Sequence, residues 1–155
     1  MTEEKKNQKE TGSEAKTFTV PYDLEGITLS TNKQSELSKE QIINQAFKFH
    51  SEANIKEAAK YYQLFINQGF EDHRVFSNYG VILKNHGKLY QAEILYRKAI
   101  KLNPGFADIH YNLGNILRDI GNLQEAEIST RKAIELNPDF AKAHSNLGNI
   151  LRDLG

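Results

Sequence analysis

Two fifteen-residue stretches in the second half of this chain are close copies of each other. Residues 107–121 read Ala-Asp-Ile-His-Tyr-Asn-Leu-Gly-Asn-Ile-Leu-Arg-Asp-Ile-Gly, and residues 141–155 read Ala-Lys-Ala-His-Ser-Asn-Leu-Gly-Asn-Ile-Leu-Arg-Asp-Leu-Gly. Eleven of the fifteen places are identical at an offset of 34 residues. A fixed period of that size argues for units stacked in series rather than for one compact core. Carried backwards, the register starts further units at His73 and Lys39. Small residues then recur in it. The eighth place is Ala46, Gly80, Gly114 and Gly148, and the twentieth is Ala58, Ala92 and Ala126.

Each unit reads as a pair of helices. Ser38-Lys39-Glu40-Gln41 has the form of a capping box, in which Ser38 and Gln41 satisfy orphan backbone N–H groups at a helix start. The apolar spacing predicts helices over about 39–52 and 55–68, then 73–86 and 89–102, then 107–120 and 123–136. Gly87 and Gly121-Asn122 fall between the helices of a pair, where a left-handed residue ends a helix cheaply. Asn103-Pro104 and Asn137-Pro138 close the second helices, because the residue before a proline leaves the helical region. Each proline is then expected near the first turn of the next helix. Short side chains let paired helices approach, so Gly114 is expected against Ala126, with Leu113, Ile116, Leu117 and Leu123 filling the space around them.

The period, the small eighth and twentieth places and the proline at the thirty-second place resemble the tetratricopeptide repeat, over residues 39–155. The resemblance implies an all-α, right-handed superhelical solenoid of antiparallel helix pairs, with about three and a half repeats: 39–72, 73–106, 107–140 and a half repeat 141–155. The first unit departs from the pattern, with Ala53 at its turn, Phe65 for a small residue and Phe70 for proline. Ahead of the solenoid at 38–155, residues 1–37 are mostly polar and carry too little apolar surface to offset the entropy of ordering, so a disordered N-terminal tail is expected. The alternative is that Phe18, Val20 and Tyr22 dock on the solenoid.

Composition narrows the function classes. Lys plus Arg and Asp plus Glu balance at 20 each, so no net field steers the chain toward nucleic acid or anionic lipid. Cysteine is absent, which removes disulfides and thiolate chemistry. The amino terminus leads into no apolar run, and no stretch approaches the ~20 apolar residues a membrane span needs. A soluble cytoplasmic protein is the default expectation. No phosphate loop, metal-binding His pair or nucleophile elbow occurs, so no catalytic residue, metal or cofactor is expected. His110 and His144 stand one unit apart at a packing place, which explains them without a metal.

At ~100° per residue, the first helix of each unit divides into two arcs. Places three, four, seven, eight, ten and eleven form the packing side. Places two, five, six, nine, twelve and thirteen face away from it, and in the repeat family this second arc lines a concave groove. The sixth place is asparagine in every unit: Asn44, Asn78, Asn112 and Asn146. A row of amides, each with two donors and an acceptor, can bond the backbone of an extended peptide. The row resembles the asparagine ladder in the repeat arm of O-linked N-acetylglucosamine transferases. The competing reading is that the asparagines only bond groups on adjacent helices, or were copied with the unit. Asn115, Asn149 and Tyr111 complete the polar lining, and Lys84, Arg118 and Arg152 form a basic row beside Asp119 and Asp153. Those charges read either as ion pairs between neighbours or as a site for an acidic peptide. The family's carboxylate clamp needs lysine and asparagine where this chain has Ile43 and Phe47, so that specificity is not expected; with Val81 these give the groove an apolar end.

Leu147, Ile150, Leu151 and Leu154 lie at the last helix without a second helix to cover them. Either a longer protein continues past Gly155, or a second copy covers them in an end-to-end homo-oligomer. The functional expectation is a non-catalytic protein–protein interaction scaffold whose concave groove accepts an extended peptide segment. The alternative is the N-terminal arm of a larger glycosyl-, sulfo- or methyltransferase.

Overall fold

The computed structural model describes residues 37–155. The expectations about residues 1–36, including the disordered tail and the docking of Phe18, Val20 and Tyr22, lie outside the described residues. Seven helices follow one another: α1 (Lys39–Ser51), α2 (Ile55–Asn67), α3 (His73–Asn85), α4 (Leu89–Leu102), α5 (Ala107–Asp119), α6 (Leu123–Leu136) and α7 (Ala141–Leu154). They form three helix pairs and a seventh helix, an all-α solenoid of about three and a half units. Every expected helix is present, and each boundary lies within two residues of the expected one.

Local chemistry accounts for the helix limits. Ser38 Oγ accepts from the Gln41 N–H at 3.2 Å, and the Gln41 side chain accepts from the Ser38 N–H at 2.8 Å, completing the expected capping box. The turn inside each pair is left-handed. Gly87 and Gly121 have φ of 74° and 86°, and Ala53 takes the same role in the first unit at φ 57°. The prolines depart from expectation. Pro104 and Pro138 sit in the loops, and α5 and α7 begin three residues later, capped by Phe106 and Phe140 without a side-chain bond. The loops are tied instead by the fourth-place histidines. His110 Nε2 lies 2.8 Å from the Pro104 carbonyl and His144 Nε2 lies 2.7 Å from the Pro138 carbonyl. A carbonyl only accepts, so both rings carry their proton on Nε2.

The core follows the packing arc. In α3 the buried residues are Val75, Phe76, Tyr79, Gly80, Ile82 and Leu83, and in α5 they are Ile109, His110, Leu113, Gly114, Ile116 and Leu117. These are the expected six places in both helices. The small eighth place is where the second helix comes closest. A Cβ on Gly114 would overlap the Thr130 hydroxyl and come within 3.3 Å of the Ala126 carbonyl oxygen, so Gly114 does face Ala126. A Cβ on Gly80 would lie 3.1 Å from the Tyr96 ring. Two expectations need correction. Ile43 is 7% exposed and belongs to the core, because Gln41, Gln45 and Lys48 occupy packing places in α1 and cannot be buried there. Ile150 is fully buried against α6, whereas Leu151 and Leu154 are exposed and Leu147 is half-buried.

Candidate functional site

The second arc of α1, α3, α5 and α7 carries the candidate groove, and its residues are mostly exposed or half-buried. The four sixth-place asparagines share the arc but not the same surroundings. Asn44 is exposed, Asn78 and Asn112 are half-buried, and Asn146 is buried. The differences come from the second helix of the preceding unit, whose twenty-fourth place is Tyr62, Tyr96 or Thr130.

At the first seam the buried Tyr62 hydroxyl stands 2.8 Å from His50 Nδ1 and is also hydrogen-bonded by Asn78. Burial pushes the Tyr62 phenol up to about 12, against the opposing pull of Asn78, so it stays protonated and donates to the imidazole. Burial also lowers the His50 pKa, which keeps the ring a neutral acceptor. At the last seam Asn146 Nδ2 donates to Thr130 Oγ1 at 3.3 Å. Between them, the fully buried Tyr96 hydroxyl has no hydrogen-bond partner among the described residues. Asn112, at the place equivalent to Asn78, has no side-chain bond among the described residues. Asn78 and Asn146 are therefore committed to neighbouring helices, whereas the amides of Asn44 and Asn112 bond nothing among the described residues.

The remaining candidates sort in the same way. Asn115 is half-buried with its amide unengaged among the described residues, while Asn149 accepts from Arg152 Nη2 at 2.7 Å. Arg118 Nε bonds Asp153 Oδ2 at 2.7 Å across the seam between the third and fourth units. That pair realises the neighbour-pairing reading of the basic row. Lys84 is half-buried and makes no ion pair among the described residues. The Tyr111 ring packs on Phe140 at 5.0 Å between centroids.

Sequence reasoning missed a hollow of about 370 Å³ on this face, where Phe47, Ser77 and Asn78 meet Phe106 and Ile109. The Arg74 guanidinium lies 5.3 Å over the Phe47 ring and bonds both oxygens of Asp72, at 3.1 and 2.8 Å. Burial raises the Asp72 carboxyl, but its bonds to Arg74 and the nearby positive charge outweigh this and hold it below the usual carboxylate range. Phe106 carried no signal, because its thirty-fourth place holds Asp72 in the first unit and belongs to neither helix arc. A larger depression of about 580 Å³ lies between α4 and α6, over Ile100 and Leu113. Its basic rim is already neutralised: Arg97 pairs with Glu93 and Glu125, Arg131 with Glu127, and Lys132 with Glu135.

The family described as tetratricopeptide repeat matches residues 107–140, and a second description, TPR repeat, matches residues 80–121. Residues 80–140 carry tetratricopeptide repeats. The first tetratricopeptide domain of Spaghetti bound to an HSP90 peptide, SRMEEVD, is similar at TM-score 0.69 and 18% identity, over 78% of this chain and 98% of that one. YrrB, described as a tetratricopeptide protein with an unusual peptide-binding site, is similar at TM-score 0.70 and 21% identity, over 75% of this chain and 60% of that one. A variant O-GlcNAc transferase of Thermobaculum terrenum is 26% identical at TM-score 0.64, over 73% of this chain and 22% of that one. No curated protein matches the sequence. Among the described residues no helix of these repeats is long and apolar enough to cross a membrane, and no cluster of three or more His, Asp or Glu residues could hold a metal ion.

Proposed function

We propose that the protein is a non-catalytic interaction scaffold whose repeats accept an extended polypeptide segment along the second arc of α1, α3, α5 and α7. The observation that carries the reading is the set of amides on Asn44 in the first repeat and on Asn112 and Asn115 in the third, all on the second arc, which make no hydrogen bond among the described residues. An amide that bonds no protein group is available to the alternating N–H and C=O of an extended chain, which needs regularly spaced partners of both kinds. Lys84, on the second arc of α3, is a further donor that makes no ion pair among the described residues. The relatives solved with, or described by, peptide binding support the same use of the fold. The Ile43 and Phe47 places leave no clamp for a carboxylate-terminated tail such as SRMEEVD, so the segment is expected to differ from that peptide.

The test is titration calorimetry with an extended peptide selected on the wild-type protein from a displayed decapeptide library. Asn44→Ala combined with Asn112→Ala should weaken binding about tenfold or more, two lost net hydrogen bonds being worth roughly 1–3 kcal/mol, with helical content unchanged. Full retention of affinity by that double variant would refute the assignment.

A second reading has one specific observation behind it, the 26% identity to the transferase from Thermobaculum terrenum. In that reading the repeats are the N-terminal arm of a larger glycosyl-, sulfo- or methyltransferase. A reading frame that continues past residue 155 into a catalytic domain would establish it, and a stop codon there would end it.

A further inference from the structure

The hollow on the groove face is occupied by protein in one repeat and open in the preceding one. Its fifth-place residue is Ser77 in the second unit and Tyr111 in the third. Tyr111 turns its ring onto Phe140 at 5.0 Å, filling the position that Ser77 leaves vacant beside Phe106, the equivalent of Phe140. The open hollow therefore exists because one side chain is small where the next repeat has an aromatic ring. Its walls are the half-buried Phe47 and the Phe106 ring, which is 47% exposed, and Ile109 closes the floor.

The charge beside it is already spent. Arg74 lies flat over Phe47 and is neutralised through two hydrogen bonds by Asp72, whose carboxyl stays ionised because of them. His73 sits edge-on to Phe106 at 6.2 Å between centroids. A charged guest side chain would have to break the Arg74–Asp72 pair or lose its own water without compensation. An uncharged apolar guest loses neither, and gains the burial of its surface against two aromatic walls.

We infer that this hollow is an anchor pocket, and that the segment held in the groove carries a bulky uncharged side chain, aromatic or branched aliphatic, that enters between Phe47 and Phe106. The inference rests on the groove reading above and adds the chemistry of the residue that sets the segment's register. Free amides bond any backbone equally well, so they cannot prevent a segment from sliding by one residue. A single apolar pocket on one repeat supplies that stop.

The experiment uses the full chain and a displayed random decapeptide library. Selection on the wild-type protein should enrich peptides with Phe, Tyr, Trp, Leu or Ile at one fixed position. Replacing that residue by alanine in a synthetic peptide should weaken binding about tenfold or more. Ser77→Tyr, which installs the third repeat's own residue, should cost the parent peptide a similar factor and leave the alanine peptide's affinity unchanged. Phe106→Ala, at an exposed wall, should reduce the preference for the apolar residue and guards against misfolding of the first variant. Peptides that depend on Asn112 but show no fixed apolar position, or that bind both variants as tightly as wild type, would overturn the anchor and leave the groove standing. A library from which nothing is enriched would overturn the groove and the anchor with it.

Discussion

His50 and Tyr62 meet beneath the groove, Nδ1 against hydroxyl at 2.8 Å, in surroundings that disfavour charge on the ring. Burial lowers the imidazole pKa below 6.5, so the unfolded chain takes up a proton that the folded chain resists. The contribution of neutral His50 is full above about pH 6.5 and is lost as the pH falls toward the folded-state value. Urea unfolding should therefore show a midpoint that drops between about pH 7 and 5 in the wild type, and a shallower drop in His50→Gln. An equal drop in both would contradict the assignment. The Asp72 carboxyl, held low by Arg74, contributes in a separate window. Its stabilisation is lost only as the pH falls below about 3.8 through the depressed folded value. The asparagines give a second contrast at this scale. Asn146→Ala leaves the Thr130 hydroxyl buried without a partner and should cost about 1–2 kcal/mol, whereas the half-buried, unbonded Asn112→Ala should stay within ~0.5 kcal/mol. Chemical denaturation of the two variants measures the difference. The row of four asparagines was legible in the sequence, but their separate fates were not. Those depend on whether the preceding helix brings Tyr62, Tyr96 or Thr130 to the seam, and helical periodicity carries no record of contacts between units.

Helix packing and helix ends decide stability at the next scale. The eighth-place glycines look equivalent in sequence, yet a Cβ on Gly114 would collide with Thr130 while one on Gly148 meets nothing within 4 Å. Gly114→Ala should destabilise by about 1–3 kcal/mol through overpacking. Gly148→Ala should be neutral or stabilising by up to ~1 kcal/mol, from helix propensity alone. Thermal or denaturant melts of the pair check both signs. Ala53 holds φ 57° where the other pairs place Gly87 and Gly121, so Ala53→Gly should raise stability by about 1 kcal/mol. A loss on that substitution would mean that the first turn is not strained as described. The packing arcs of α3 and α5 were fully legible because apolar or small residues fill the helical places that face the core, with His110 in α5 the one polar residue among them. In α1 the pattern was degraded by Gln41, Gln45 and Lys48, and the arc that periodicity assigned to the groove gave Ile43 to the core. The loops were the least legible part. Pro104 and Pro138 act through their carbonyls, each bonded by a histidine six residues on, rather than by starting a helix.

Across the whole molecule, a 34-residue period turns one helix pair into a surface with a nearly repeating chemistry. The departures from perfect repetition distinguish one end of that surface from the other. The second unit opens the hollow at Ser77, Lys84 and Asn112 stay unengaged among the described residues, and the last seam closes with Arg118 on Asp153. The account predicts one direction and one register for a bound segment. It also predicts that the groove, and not the larger depression between α4 and α6, is where binding occurs. The measurement that tests this most directly is a nuclear magnetic resonance titration of the isotope-labelled chain with a selected decapeptide, following side-chain amides and backbone N–H groups together. Shifts at the amides of Asn44, Asn112 and Asn115 and at the backbone of Ser77 and Phe106 are the predicted result. Shifts confined to Arg97, Ile128 and Arg131, with those three asparagine amides unmoved, would contradict it.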